Sequence, residues 1–195
     1  LDEANLQQKE LDQGESWFQL HHMLNTKLAD ALRFPIKLDR CVVLDIQDKA
    51  PITVERNPDP AACQEYHVHG FGFRLRRSIA VSPEQASLLQ IVAYIDPAGG
   101  GVNADESAYA VTAFLNGNVF LLEIGGVPGG YDKTVLAELA KRVAKWKPNT
   151  VVVEKNMGFG AFREVFVPVL HQVHKCAVED DLVTGQKEKR LIATL

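Results

Sequence analysis

Two stretches decide the fold: Gln90-Ile91-Val92-Ala93-Tyr94-Ile95-Asp96 and Thr150-Val151-Val152-Val153-Glu154. Each is a short apolar run that ends on an acid. The second is almost entirely β-branched, which is the composition of a strand buried on both faces. An acid at the C-terminal end of such a strand sits where a rigid sheet meets its loops. That is where α/β sheets build their sites.

The chain around these runs supplies the rest of a sheet. Residues 98–106 form a loop rich in Gly and acid, and 107–115 read as a second strand. Asn116, Gly117 and Asn118 make a hairpin turn, because Asn and Gly tolerate the positive φ of tight turns. Residues 119–124 are a third strand, and the glycines of 125–130 break the chain. Residues 131–146 are an amphipathic helix with Val135, Leu136, Leu139, Ala140 and Val143 on one face. Pro148 and Asn149 close it. After the strand at 150–153 come a helix over 159–170, a fifth strand over 173–178 and the start of another helix over 186–195. Three strands followed by alternating helices and strands predict a mixed α/β domain, a central sheet covered by helices.

The first 87 residues have a different texture. Residues 15–33 predict a helix, with Leu20, Met23, Leu24, Leu28 and Ala31 at helical spacing, Ser16 as a cap and Pro35 beyond its end. Residues 41–46 are apolar enough for a strand. Residues 57–61 hold Pro58 and Pro60 and predict a loop. Residues 66–75 alternate loosely, as an edge strand does, and 1–14 are polar, exposed or helical. Residues 1–87 therefore read as a connecting region with local helix and short strands, and 88–195 as the core domain.

Composition narrows the function. At 195 residues the chain suits one domain, or one domain with an attached segment. No apolar run approaches the length of a membrane-spanning helix. The start does not resemble a signal peptide, and Leu1 in place of Met suggests a fragment or a processed product. The net charge of −4 argues against a tight, non-specific DNA-binding module. It leaves a nuclease open, because a cluster of active-site carboxylates is itself acidic until metal binds. Cys41, Cys63 and Cys176 are far apart and form no C-x-x-C pair, so neither a disulfide framework nor a structural zinc site is expected.

Asp96 and Glu154 carry the chemistry. A carboxylate beside a buried apolar strand is costly unless it is compensated. A divalent cation compensates it, and Mg2+ favours a few carboxylates with water and phosphate oxygens. Two such ions can activate water and stabilise the leaving oxygen in phosphodiester hydrolysis. The plainer reading of either acid is a helix cap or a surface ion pair. Two acids ending two core strands weigh against it.

The segments Tyr94-Ile95-Asp96-Pro97-Ala98-Gly99-Gly100-Gly101 and Asp105-Glu106-Ser107-Ala108-Tyr109-Ala110-Val111 resemble the start of the nuclease domain in the large terminase subunits of tailed phages. Val152-Val153-Glu154-Lys155-Asn156-Met157-Gly158-Phe159-Gly160 is similar to that family's second acidic motif. Residues 18–25 and 30–37 resemble the segment that leads from the packaging ATPase to the nuclease. The resemblance implies a ribonuclease-H-like mixed sheet with flanking helices, preceded by a helical/β linker segment. It implies a two-metal-ion endonuclease that cuts double-stranded DNA during genome packaging. Asp96 and Glu154 would be the first two acids of a triad for Mg2+ or Mn2+, and Asp105 would support the site. The family's third acid is expected beyond Leu195, because Asp180 and Asp181 come too early for its pattern. The implied partners are double-stranded DNA, an upstream packaging ATPase domain, the terminase small subunit and the portal. The implied location is the host cell cytoplasm, with no membrane.

Other residues stay open. Gly99-Gly100-Gly101 suits either a close approach of DNA backbone or metal, or a plain hairpin loop. His67 and His69 would face one side of a strand but lack a third ligand. His171 and His174 read as polar groups at a helix end. Lys155 and Arg163 could contact phosphates near the acids, although basic residues on helices more often face solvent. No Walker A pattern is present. Two rival functions remain: a non-catalytic assembly or regulatory piece of a viral motor, and an actin-like or sugar-kinase-like nucleotide-binding domain.

Overall fold

The computed structural model describes residues 3–13, 18, 21, 40–59, 61–68, 71–99, 105–155 and 161–182. In chain order its elements are α1 (Glu3–Gln13), β1 (Lys49–Pro51), β2 (Val54–Arg56), β3 (Cys63–Val68), β4 (Phe71–Arg76), β5 (Ser78–Val81), β6 (Gln85–Ser87), β7 (Gln90–Asp96), β8 (Glu106–Leu115), β9 (Asn118–Pro128), α2 (Lys133–Ala144), β10 (Thr150–Glu154), α3 (Ala161–Val173) and β11 (Ala177–Asp181). They gather into two compact units. The larger takes Leu44–Arg56 and Ser78–Thr184, and the smaller draws on Leu1–Val43 and Asn57–Arg77. Residues 44–56 and 78–87 of the connecting region thus fold with the core.

The larger unit is built on a five-stranded sheet in the order β11-β10-β7-β8-β9. Strands β7, β8 and β9 are antiparallel neighbours, and β10 runs parallel to both β7 and β11. Burial along β7 and β10 alternates with the period of a strand. Ile91, Ala93, Ile95, Val151 and Val153 are buried, and together with Val111, Ala113 and Phe120 they line the core face. Helix α2 sets Leu136, Leu139, Ala140 and Val143 into that core, and α3 sets Phe162, Phe166 and Leu170. Burying each large apolar side chain contributes about 1.5–3 kcal/mol, so this shared face holds the helices on the sheet. The expected mixed α/β architecture is the one observed.

Several boundaries differ from expectation. The third strand does not stop at residue 124; β9 continues through Gly125 and Gly126 to Pro128, paired with the long β8. Glycine survives there because the Tyr109 ring lies against Gly125, where a Cβ would meet it at 3.0 Å. The helix expected over 159–170 extends to Val173 despite Pro168 in its interior. The His174 N–H bonds to the Leu170 carbonyl, and a ring nitrogen of His171 meets the Cys176 carbonyl at 3.1 Å. These end groups let the helix run three residues further. The fifth strand is displaced accordingly, from 173–178 to Ala177–Asp181.

Residues 41–46 form no strand; Val42 makes a single bridge to Arg76. Residues 66–75 are not one edge strand. They belong to the antiparallel pair β3–β4, with Cys63 opposite Arg76 and Val68 opposite Phe71. The short ladders β1–β6 and β2–β5 have no counterpart in the sequence pattern, because strands of three or four residues carry too little pattern to read. The hairpin at Asn116-Gly117 is as expected, with φ of 48° and 78°. The helices expected over 15–33 and 186–195 lie outside the described residues, apart from Phe18 and His21.

Candidate functional site

Strands β7, β10 and β11 lie side by side and run the same way, so their C-terminal ends share one edge of the sheet. Val153 pairs with Ile95, which sets Glu154 beside Asp96. Glu154 in turn pairs with Asp181. Three acids therefore end three neighbouring parallel strands, each about 4.8 Å from the next. The side-chain alternation that sends Ile95 and Val153 into the core turns Asp96 and Glu154 to the opposite face. Glu154 is only 6% exposed, one of two buried polar residues among those described.

Tyr94 lies two residues before Asp96, on the same face of β7. Its hydroxyl donates to Asp181 Oδ2 at 3.0 Å and reaches Glu154 Oε2 at 3.5 Å. The sequence pattern marks neither Tyr94 nor Asp181 as a site residue. For Tyr94 the signal was its i−2 spacing from a strand-end acid. For Asp181 the signal was hidden by the misplaced fifth strand.

Asp180 is engaged elsewhere. Lys155 Nζ stands 3.4 Å from its Oδ2, and Arg163 Nε stands 3.6 Å from its Oδ1. Arg163 also donates from Nη2 to the Val178 carbonyl at 3.1 Å. The two basic residues expected to meet phosphate thus converge on one carboxylate next to the acidic edge. All three groups are partly exposed, and such ion pairs are worth at most about 1 kcal/mol, so a phosphate can compete for either cation.

The acidic loop is pinned where it leaves and re-enters the sheet. The Ala98 N–H donates to the buried Ser107 Oγ at 3.0 Å. Asp105 is exposed, immediately before β8. Residues 100–104 lie outside the described residues. His67 is exposed and 3.6 Å from Glu65, while His69 is outside the described residues.

A polar cluster joins β8 and β9 to the end of α2. Tyr109 pairs with Ile95, the residue before Asp96. Its hydroxyl donates to Glu123 Oε1 at 2.8 Å. Lys145 Nζ and Trp146 Nε1 both donate to Glu123 Oε2 at 2.7 Å. Burial alone would push the Glu123 carboxyl up, but these three donors and the Lys145 charge together hold it below its usual range. Burial, and then the bond to Glu123, push the Tyr109 phenol above its usual range, against the lowering effect of Arg142.

Among the described residues, no group of three or more His, Cys, Asp or Glu side chains is gathered closely enough to hold a metal ion. The donor chemistry at the strand ends is nonetheless all oxygen and anionic. Mg2+ needs only one or two carboxylates when water and substrate phosphate complete its shell. Asp96 and Glu154 on adjacent strands fit that requirement.

A mixed sheet with three antiparallel strands, two further parallel strands and acids at its edge defines the ribonuclease-H-like class. The chain belongs to the terminase family described as Terminase Bacteriophage T7, Ribonuclease H-like domain, which matches residues 95–195. It is also 37% identical, over 198 residues, to the terminase large subunit of Enterobacteria phage T3. That match takes in 100% of this chain and 33% of the relative, so the chain spans a third of that relative's length. Among solved structures, it is similar to the fowlpox virus Holliday junction resolvase, with 17% identity and a TM-score of 0.36. The likeness covers 54% of this chain and 71% of that one. The same resolvase with Holliday junction DNA gives 16% identity and a TM-score of 0.34, over 54% of this chain and 70% of that one. Family membership sets aside the actin-like and sugar-kinase-like reading. Among the described residues, no helix is long and apolar enough to cross a membrane.

Proposed function

We propose that this chain is the nuclease part of a phage packaging terminase, a metal-dependent endonuclease that cuts double-stranded DNA as a genome is packaged. The observation that carries this reading is the placement of Asp96 and Glu154 beside each other at the ends of β7 and β10, in a chain of the terminase family. The two carboxylates hold Mg2+ or Mn2+, with two ions expected. Bound divalent ions supply an activated water and stabilisation of the leaving 3′ oxygen. Asp105, at the mouth of the acidic loop, supports the site. Lys155 and Arg163 exchange Asp180 for a DNA phosphate and align the backbone across the strand ends. Residues 1–87 connect this core to an upstream packaging ATPase. The small terminase subunit and the portal are further partners, and the work takes place in the cytoplasm of the host cell. The net charge of −4 suits an enzyme to which other parts of a motor deliver DNA.

The test is nicking of supercoiled plasmid by the full-length protein in Mn2+. Asp96→Ala and Glu154→Ala should each lower the rate at least about 100-fold, since each removes a metal ligand. Unchanged cleavage by either variant would refute the proposed function.

A further inference from the structure

Tyr94 has no place in the function proposed above, yet its hydroxyl meets two of the three strand-end carboxylates. The Tyr94 backbone is rigid. Strand β7 is the middle strand of the sheet, paired with β10 on one side and β8 on the other. Tyr94 itself is opposite Val152 and Ala110 in those two ladders. The ring leaves this fixed point and reaches across β10 to the end of β11.

A phenol has one proton to donate. At 3.0 Å it is given to Asp181 Oδ2, and at 3.5 Å Glu154 Oε2 sits at the limit of a hydrogen bond. Two carboxylates directly opposite each other on paired strands repel. A single donor between them opposes that repulsion and keeps both on the same side of the edge. Long acidic side chains lose rotamer freedom when a ligand fixes them. Fixing them beforehand removes that cost from the binding step.

We propose that Tyr94 is a positioning residue of the metal site: its hydroxyl holds the Glu154 and Asp181 carboxylates in the arrangement that a divalent cation enters. The inference rests on the metal-dependent function proposed above. In that role Tyr94 acts through the two carboxylates that its hydroxyl meets, Asp181 at 3.0 Å and Glu154 at 3.5 Å. Groups that orient a ligand in this way are typically worth about 10–100-fold in metal affinity.

The experiment uses Tyr94→Phe, which keeps the ring and deletes only the hydroxyl. Mn2+ is titrated into the DNA-free chain, and the free aquo-ion is read by electron paramagnetic resonance. Thermal melting is measured alongside. The expected result is an Mn2+ dissociation constant raised about 10-fold in Tyr94→Phe, with metal-free melting close to wild type. In the nicking assay the half-saturating Mn2+ concentration should rise, while the rate at saturating Mn2+ changes much less. Glu154→Gln, measured in parallel, should weaken Mn2+ binding more strongly than Tyr94→Phe. If Glu154→Gln weakens binding and Tyr94→Phe does not, the positioning role is overturned and the proposed function stands. If Glu154→Gln also leaves Mn2+ binding intact, both fall.

Discussion

Glu123 is the point at which the sheet and the end of α2 are joined by polar contacts, so its removal tests how the helix is held on the sheet. Three donors converge on its carboxylate, from Tyr109, Lys145 and Trp146. Glu123→Ala removes the acceptor from all three. Tyr109 is 3% exposed, and a buried donor left without its acceptor costs about 1–3 kcal/mol. The half-buried Trp146 N–H belongs to the same class. Lys145 is well exposed, and losing that ion pair costs at most about 1 kcal/mol. The expected loss is about 2–7 kcal/mol. For a chain of this size that lowers the melting temperature by roughly 10 °C.

The effect has a defined pH dependence. Because the folded Glu123 carboxyl is held below its ordinary value of 4.5, its contribution is complete above that value. It disappears as pH falls through the depressed folded value. The gap in melting temperature between wild type and Glu123→Ala should therefore be full at about pH 7 and shrink at about pH 3. Differential scanning calorimetry at the two pH values measures it. A gap under about 3 °C at neutral pH, or one that survives acid undiminished, would refute the argument that this carboxylate is the common acceptor. Tyr109 supplies the opposite arm. Its raised phenol contributes stability below its ordinary value of 10.0, and that contribution is lost as pH rises through the higher folded value.

Two further perturbations test the frame. Phe166 is fully buried and stacked on Phe162 with ring centroids 5.3 Å apart, so Phe166→Ala should cost about 3–5 kcal/mol in urea denaturation. A loss below about 1 kcal/mol would mean that the α3 face is not packed as described. Gly117 has a φ of 78° and open space around its Cβ position. Gly117→Ala should therefore cost about 1–2 kcal/mol from left-handed strain alone, with no clash, and a stabilised variant would contradict the turn.

How much was legible beforehand depended on pattern length. Strands β7, β8 and β10 and helix α2 carry seven, ten, five and twelve residues of clear periodicity, and their positions followed from it. The small ladders at 49–56 and 78–87 have three or four residues each, too few for a period to emerge. The end of α3 lies beyond its sequence pattern because its extension depends on contacts that no local pattern contains: a His171 ring against the Cys176 carbonyl, and a His174 ring 2.8 Å from the Pro148 carbonyl.

The same division runs through the site. By itself, the sequence determined that Asp96 and Glu154 each end an apolar strand, since a β-branched run and the acid that stops it are adjacent in the chain. Only the tertiary structure decided that these strands are parallel neighbours, that Asp181 is in register with Glu154, and that Tyr94 bridges Glu154 and Asp181. Strand order and register depend on how distant segments pack around a shared core. Residues 60 and 87 positions apart leave no local trace of such a meeting.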